Sequence, residues 1–265
     1  MKRLFFTLIL VSAYILLSSH EFWLQPEKFI YQRNEEINVR FQVGENFEGV
    51  NWKGNRGKIN SFRLYYGGVS DNIPDLVGRA EGDSLQFHVY DEGNVLLAFN
   101  STNSFISIEA AKFNEYLQED GLKDAIQYRT DHQETDSTGR ELYQRCSKTL
   151  LQVGDLQTAA YRTPTQLPLD IIPLNNPYQL NNGDSLRVKI LFLKQPLSNT
   201  AIKIWHRENG NTGKQEMVSN EKGEISFPLT SSGQWMISTV KMIRLQNNPQ
   251  ADWQSYWGSF VWGYQ

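Results

Sequence analysis

Apolar and polar residues alternate along Glu36–Val43. Ile37, Val39, Phe41 and Val43 fall on one face and polar neighbours on the other, the period-two signature of a half-buried strand. The same alternation recurs over Ser61–Tyr66, Ser84–Tyr90 and Asn94–Asn100, with Tyr66-Gly67-Gly68 and Asp91-Glu92-Gly93 supplying turns. It resumes in Ser185–Leu193, Ala201–Arg207, Glu224–Leu229, Gln234–Ile243 and Tyr256–Trp262, punctuated by Asn182-Gly183, Asn209-Gly210 and Lys222-Gly223. Short strands at this spacing predict a mainly β chain built as two antiparallel β-sandwich domains.

One stretch changes period. Between Ser107 and Gln127 the residues Ile108, Ala111, Phe113, Tyr116, Leu117, Leu122 and Ile126 fall near i, i+3, i+4 spacing, with Ser107 as N-cap and Gly121 as a stop or kink. This predicts a helical insertion of one or two helices near 107–127. A further helix is expected near 138–150, where Leu142, Tyr143, Cys146 and Leu150 share a helical face, making Cys146 a buried small hydrophobe. Four prolines, Pro164, Pro168, Pro173 and Pro177, then interrupt the chain as a linker or an edge segment. The expected division is 1–19 signal peptide, 20–162 N-terminal β-rich domain and 163–265 C-terminal β-sandwich.

The amino terminus reads as a targeting segment. Lys2 and Arg3 precede an uncharged apolar run from Leu4 to Leu17 and the small residues Ser18 and Ser19. As a helix the run spans roughly 21 Å, short of the ~30 Å hydrocarbon core, so a cleaved signal is expected rather than a permanent membrane span. Two cleavage points remain open: after Ser19, or after Val11-Ser12-Ala13, which leaves Tyr14 first. Cleavage after Ser19 removes two positive charges and leaves 24 basic residues against 29 acidic. A mildly acidic periplasmic or secreted product follows. With no run of like charge there is no footprint for nucleic acid. A single cysteine, Cys146, excludes an intramolecular disulfide and any multi-cysteine metal site.

Four local patterns in order carry a resemblance. The opening His20-Glu21-Phe22-Trp23-Leu24-Gln25-Pro26 resembles the HEFWLxP start of exported bacterial proteins in domain of unknown function family 4198, often labelled NikM-like after a nickel-uptake accessory subunit. Glu109–Leu117 with Glu119–Leu122 is similar to that family's helix, and Leu169–Tyr178 with Gly183-Asp184 to its link. Gly233–Met242 with Ala251-Asp252-Trp253 to Trp257 is similar to its ending. The second half also resembles transthyretin-like or carboxypeptidase-regulatory sandwiches. The resemblance implies export and the handling of a transition metal such as nickel, cobalt or copper, with a membrane transport component as partner. Where relatives often carry a histidine, this chain has Lys241, whose protonated amine is a poor ligand.

Candidate chemistry centres on histidine. If cleavage follows Ser19, His20 becomes the first residue, and its α-amine and imidazole can chelate one Cu(II), Ni(II) or Zn(II). A second imidazole would complete a brace-like site. His206 shares a strand face with Ile202 and Ile204 and is the second candidate ligand, against the bland reading of a satisfied structural histidine. His88 is expected to face solvent or a cleft. His132 sits in a polar stretch where Asp131, Glu134 and Asp136 could hold a hard cation weakly. No HExxH, GxSxG or phosphate-binding glycine loop occurs, so no catalytic activity is expected. Trp235, Trp253, Trp257 and Trp262 cluster near the end of the chain. They leave a rival reading, a structural or carbohydrate-binding module without metal.

Overall fold

The computed structural model describes residues 21–264; the segment 1–19, expected to be a signal peptide, and His20 lie outside the described residues. The first strands are β1 (Glu21–Pro26), β2 (Ile30–Tyr31), β3 (Glu36–Glu45), β4 (Glu48–Asn51), β5 (Ile59–Tyr66) and β6 (Val69–Asn72). They are followed by β7 (Leu85–His88), β8 (Gly93–Ser101), β9 (Ser104–Ile108), the helices α1 (Ala110–Glu119) and α2 (Lys123–Asp131), and β10 (Gly139–Val153). The remainder comprises β11 (Leu169–Pro173), β12 (Ser185–Phe192), β13 (Gln195–Pro196), β14 (Ala201–Glu208), β15 (Asn211–Val218), β16 (Glu224–Pro228), β17 (Gln234–Arg244) and β18 (Trp253–Gly263).

These strands form three sheets. A ten-stranded sheet runs β15-β14-β17-β18-β10-β8-β5-β6, with β2 and β9 also on β10. Strands from both 20–162 and 163–265 therefore lie side by side in it. One outer sheet holds β1, β3, β4 and β7, and the other holds β11, β12, β13 and β16. Alternation along single strands shows that the large sheet is the middle layer. Val95, Leu97 and Phe99 of β8 join the core under the first outer sheet, while Leu96 and Ala98 join the core under the second. Met236 and Val261 face the first core, whereas Trp235, Ile237, Phe260 and Trp262 face the second. The mainly β, sandwich-type character with a short helical insertion is as expected, and two hydrophobic cores share one central sheet.

Double burial explains where the pattern misleads. The segment expected to be a helix near 138–150 is instead β10, paired with β18 in parallel over nine residues, Glu141↔Trp253 to Thr149↔Val261. Every residue from Cys146 to Val153 is buried. A strand covered on both faces has no polar side to alternate with, so the spacing of Leu142, Tyr143, Cys146 and Leu150 mimics a helical stripe. Cys146 is buried as expected, but on a strand. The expected helix near 107–127 is present as two, broken at Gly121, whose φ of 62° favours glycine. Its N-cap is Glu109, which accepts from the Ala111 amide, because Ser107 is taken into β9. In the proline-rich segment, β11 forms the edge of the second outer sheet and ends on Pro173.

Four hairpins turn through two residues that both have positive φ, the type I′ geometry that suits strand twist. Gly67-Gly68 and Asn209-Gly210 meet this at little steric cost. Asn46-Phe47 offsets it by burying Phe47 edge-on against Trp23, with ring centres 5.9 Å apart. Leu193-Lys194 is the fourth.

Most polar groups on the doubly covered strands find protein partners, with Glu141 Oε2 and Trp262 Nε1 as buried exceptions. Ser147 and Ser259 hydroxyls lie 2.7 Å apart across the parallel pair, and Thr149 donates to the Val261 carbonyl at 3.2 Å. Lys148 crosses from the central sheet to Asp170 of β11 at 2.7 Å, and the other Asp170 oxygen accepts the Thr165 amide. Burial pulls the Lys148 ammonium below its usual range while Asp170 holds it up. Asp170→Ala strands this cation in the core and is expected to lower stability by about 3–5 kcal/mol in urea denaturation. Lys148→Met combined with Asp170→Leu should recover most of that loss. A single substitution as mild as a surface change would contradict this role.

Candidate functional site

The described histidines do not converge. His206 lies on β14 with Ile202 and Ile204, facing the second outer sheet as its alternation predicts. Its ring stacks on Trp235 at 4.0 Å, and Nε2 sits 3.1 Å from the Ser232 carbonyl. A carbonyl only accepts, so Nε2 carries a proton and this nitrogen is not a metal donor as placed. His88 is exposed on β7, 3.2 Å from the Asn34 carbonyl. His132 caps α2, stacked on Tyr128 at 3.8 Å, and its neighbour Glu134 is engaged by Arg244 through two 3.1 Å bonds. Among the described residues no three His, Cys, Asp or Glu side chains gather as a metal cage.

Cys146 is buried, and burial pushes its thiol up to about 12, which leaves it protonated and unreactive at neutral pH. Trp235, Trp253 and Trp262 are core residues, and Trp257 is half-buried against Tyr116 with stacked rings 5.7 Å apart. None of the four stands out as an exposed platform for a sugar. Lys241 reaches Asp124 of α2 at 3.0 Å.

A different cluster forms where the described chain begins. Glu21 opens β1 paired with Gly44 of β3, and only 4% of its surface is exposed. On β14, Lys203, Trp205 and Arg207 occupy the face opposite His206, which turns Lys203 toward Glu21. The break at Gly121 leaves Asp120 as the C-cap of α1. Lys203 Nζ lies 2.6 Å from Asp120 Oδ1 and 3.7 Å from Glu21 Oε1. The three groups line a small cavity of about 20 Å³, room for one water, walled also by Thr239, Val240 and Trp257. Beside it, Glu141 of β10 accepts from Tyr116 Oη at 3.2 Å and from Ser255 Oγ, which in turn accepts from Trp257 Nε1 at 3.0 Å.

Two buried carboxylates, Glu21 and Asp120, thus share the Lys203 ammonium, and Glu141 lies beside them on its own hydrogen bonds. Burial pushes the Glu21 carboxyl up to about 7, against the pull of Lys203. Burial likewise raises Glu141 to about 7, opposed by its bonds from Ser255 and Tyr116 and reinforced by Asp120. Burial disfavours the Lys203 charge, but Asp120 and Glu21 outweigh it and hold the ammonium above its usual range. The Glu21 and Glu141 carboxyls can therefore take up or release a proton near neutral pH. Sequence reading did not find Asp120, Lys203 or Glu141, because nothing local distinguishes them from solvated charges. The one legible signal was the fully buried-looking run Phe22-Trp23-Leu24 directly after Glu21.

The profile of the family described as Domain of unknown function (DUF4198) matches residues 17–242, most of the chain. The chain belongs to this family. None of the curated proteins matches it significantly. Three solved structures align at low identity. One concerns host cell surface retention of a 1.5-MDa bacterial ice-binding adhesin, at 7% identity, over 93% of this chain and 64% of that one, with a TM-score of 0.23. Another is Dscam1 isoform 6.9, its N-terminal four Ig domains, at 10% identity, 91% and 52% coverage, and 0.22. The third is a Salmonella alpha-2-macroglobulin mutant, at 11% identity, 92% and 15% coverage, and 0.21. The chain spans less than two thirds of each, and scores this low carry no argument about its fold or function. No helix among the described residues of this DUF4198 chain is long and apolar enough to cross a membrane.

A group whose folded pKa lies above its unfolded value takes up a proton on folding. For Glu21 and Glu141 the associated stability is full below about 4.5 and is lost as pH rises through about 7. Glu141→Gln keeps an acceptor for Tyr116 and Ser255 without the charge. It is expected to raise stability at pH 8 by about 1–3 kcal/mol and flatten the decline between pH 5 and 8. Chemical denaturation across that range checks both.

Proposed function

We propose that this DUF4198 chain is an exported binding protein whose site is organised around its processed amino terminus, with a transition-metal ion, Cu(II), Ni(II) or Co(II), as the ligand. The observation that carries the reading is the burial of Glu21 in a charged cavity with Asp120 and Lys203. His20 directly precedes Glu21 in the sequence, so a chain cleaved after Ser19 would carry a free α-amine and an imidazole on the residue before this cavity's Glu21. Nitrogen from a free terminal histidine with carboxylate oxygen is a donor set suited to these divalent ions.

The described residues alone do not fit such a metal. They offer two hard carboxylates, and the Lys203 ammonium already occupies Asp120. The softer donors must come from His20, and His206 is turned to the opposite face of the central sheet. A cation entering the cavity would have to displace or neutralise Lys203. Metal uptake would therefore be coupled to proton release, from the α-amine as well as from the buried acids. Export and delivery to a membrane transport component, as the NikM-like label suggests, extend this reading.

Calorimetry with Cu(II) and Ni(II) tests it. Protein beginning at His20 is expected to bind at least tenfold more tightly than the same protein carrying one extra N-terminal Met, which converts the amine to an amide. His20→Ala should weaken binding similarly, and His206→Ala should have no effect. Equal affinity of the free and extended forms would overturn the metal reading and leave a structural β-sandwich module.

A further inference from the structure

The outer face of the second outer sheet carries a concave site of about 450 Å³, within the size range of small-molecule pockets. Its floor is apolar, formed by Ile172, Leu174 and Leu191, and its rim carries Arg162, Lys189 and Lys194. None of these three cations makes an ion pair among the described residues. Two acids are in register with its lining: Glu224, cross-strand from Lys189, faces Arg187 at 3.9 Å, and Asp170, cross-strand from Leu191, is held by Lys148 at 2.7 Å. On a chain of net charge −3, three unpaired cations around an apolar floor form a local reversal of sign.

The turn that brings Lys194 to this rim is a second, independent observation. Leu193 and Lys194 both hold positive φ, 48° and 67°, in a type I′ turn that favours Asn-Gly. Non-glycine residues in this region are strained, and such strain collects at functional positions. In the Asn46-Phe47 turn, burial of the phenylalanine offsets the strain. Here Leu193 is 57% exposed and Lys194 is exposed, so packing within the chain does not account for it.

We propose that this concavity binds an anionic amphiphile, a fatty carboxylate whose head lies among Arg162, Lys189 and Lys194 while its tail covers Leu174 and Leu191. An apolar tail fits the floor, and an anionic head meets a rim whose cations make no ion pair among the described residues. The site lies on the far side of the second core from the Glu21 cavity and is independent of it.

Calorimetry with dodecanoate below its micellar concentration, on the full mature chain, is the test. Dodecanoate is expected to bind, with acetate and the neutral amphiphile dodecyl maltoside at least tenfold weaker. Lys189→Ala with Lys194→Ala should weaken dodecanoate at least tenfold with an unchanged circular dichroism spectrum. Leu193→Asn with Lys194→Gly relieves the turn. It should raise the melting temperature by about 2–4 °C while weakening dodecanoate binding. Undetectable dodecanoate binding, or binding indifferent to these substitutions or matched by the maltoside, would overturn the proposal. So would lysine-dependent binding of a polyglutamate peptide in place of dodecanoate, which would assign the face to a protein partner.

Discussion

The fold depends on a parallel pair of strands with no solvent face. β10 and β18 lie at the middle of the central sheet, and an outer sheet covers each side. Burial on both faces lets these strands contribute apolar side chains to both cores at once. It also imposes a condition: every polar side chain on these strands needs a protein partner, since an unpaired buried group costs about 1–3 kcal/mol. Ser147 with Ser259, Thr149 with the Val261 carbonyl and Lys148 with Asp170 meet that condition. The last also ties the central sheet to the second outer sheet.

The same condition creates the acidic cluster. At the end of β10, Glu141 is enclosed by α1 and β18, and Glu21 and Asp120 are enclosed a short way off, with Lys203 as their one cation. Burial pushes the Glu21 and Glu141 carboxyls up to about 7 from the usual 4.5. A fold optimised for stability alone would place apolar residues here. Burying Glu21, the residue that follows His20, with Asp120 around one lysine is the costly feature that a function at the amino terminus would explain.

What could be read from the sequence follows from which faces meet solvent. β3, β7 and β12 keep one polar side, and their alternation was legible, as was the face of His206 on β14. The turns Gly67-Gly68 and Asn209-Gly210 were legible because only a few residues accept their backbone angles. β10 was misread as a helix because double burial erases period two. β15, a polar and mostly exposed edge strand, carried no apolar signal at all. The acidic cluster was illegible for another reason: Glu21, Asp120, Glu141 and Lys203 come from four elements brought together only by the three-layer arrangement. His20 was legible as a candidate because its chemistry depends on a local event, cleavage at the neighbouring bond.

Cleavage at that bond decides whether the site exists. The intact mass of the exported protein, recovered from outside the cytoplasm, reports its first residue directly. The account predicts a chain beginning at His20, with a free α-amine bonded next to the buried Glu21. A chain beginning at Tyr14, or one retaining its apolar leader, would place an amide at His20 and contradict a site built on the amino terminus.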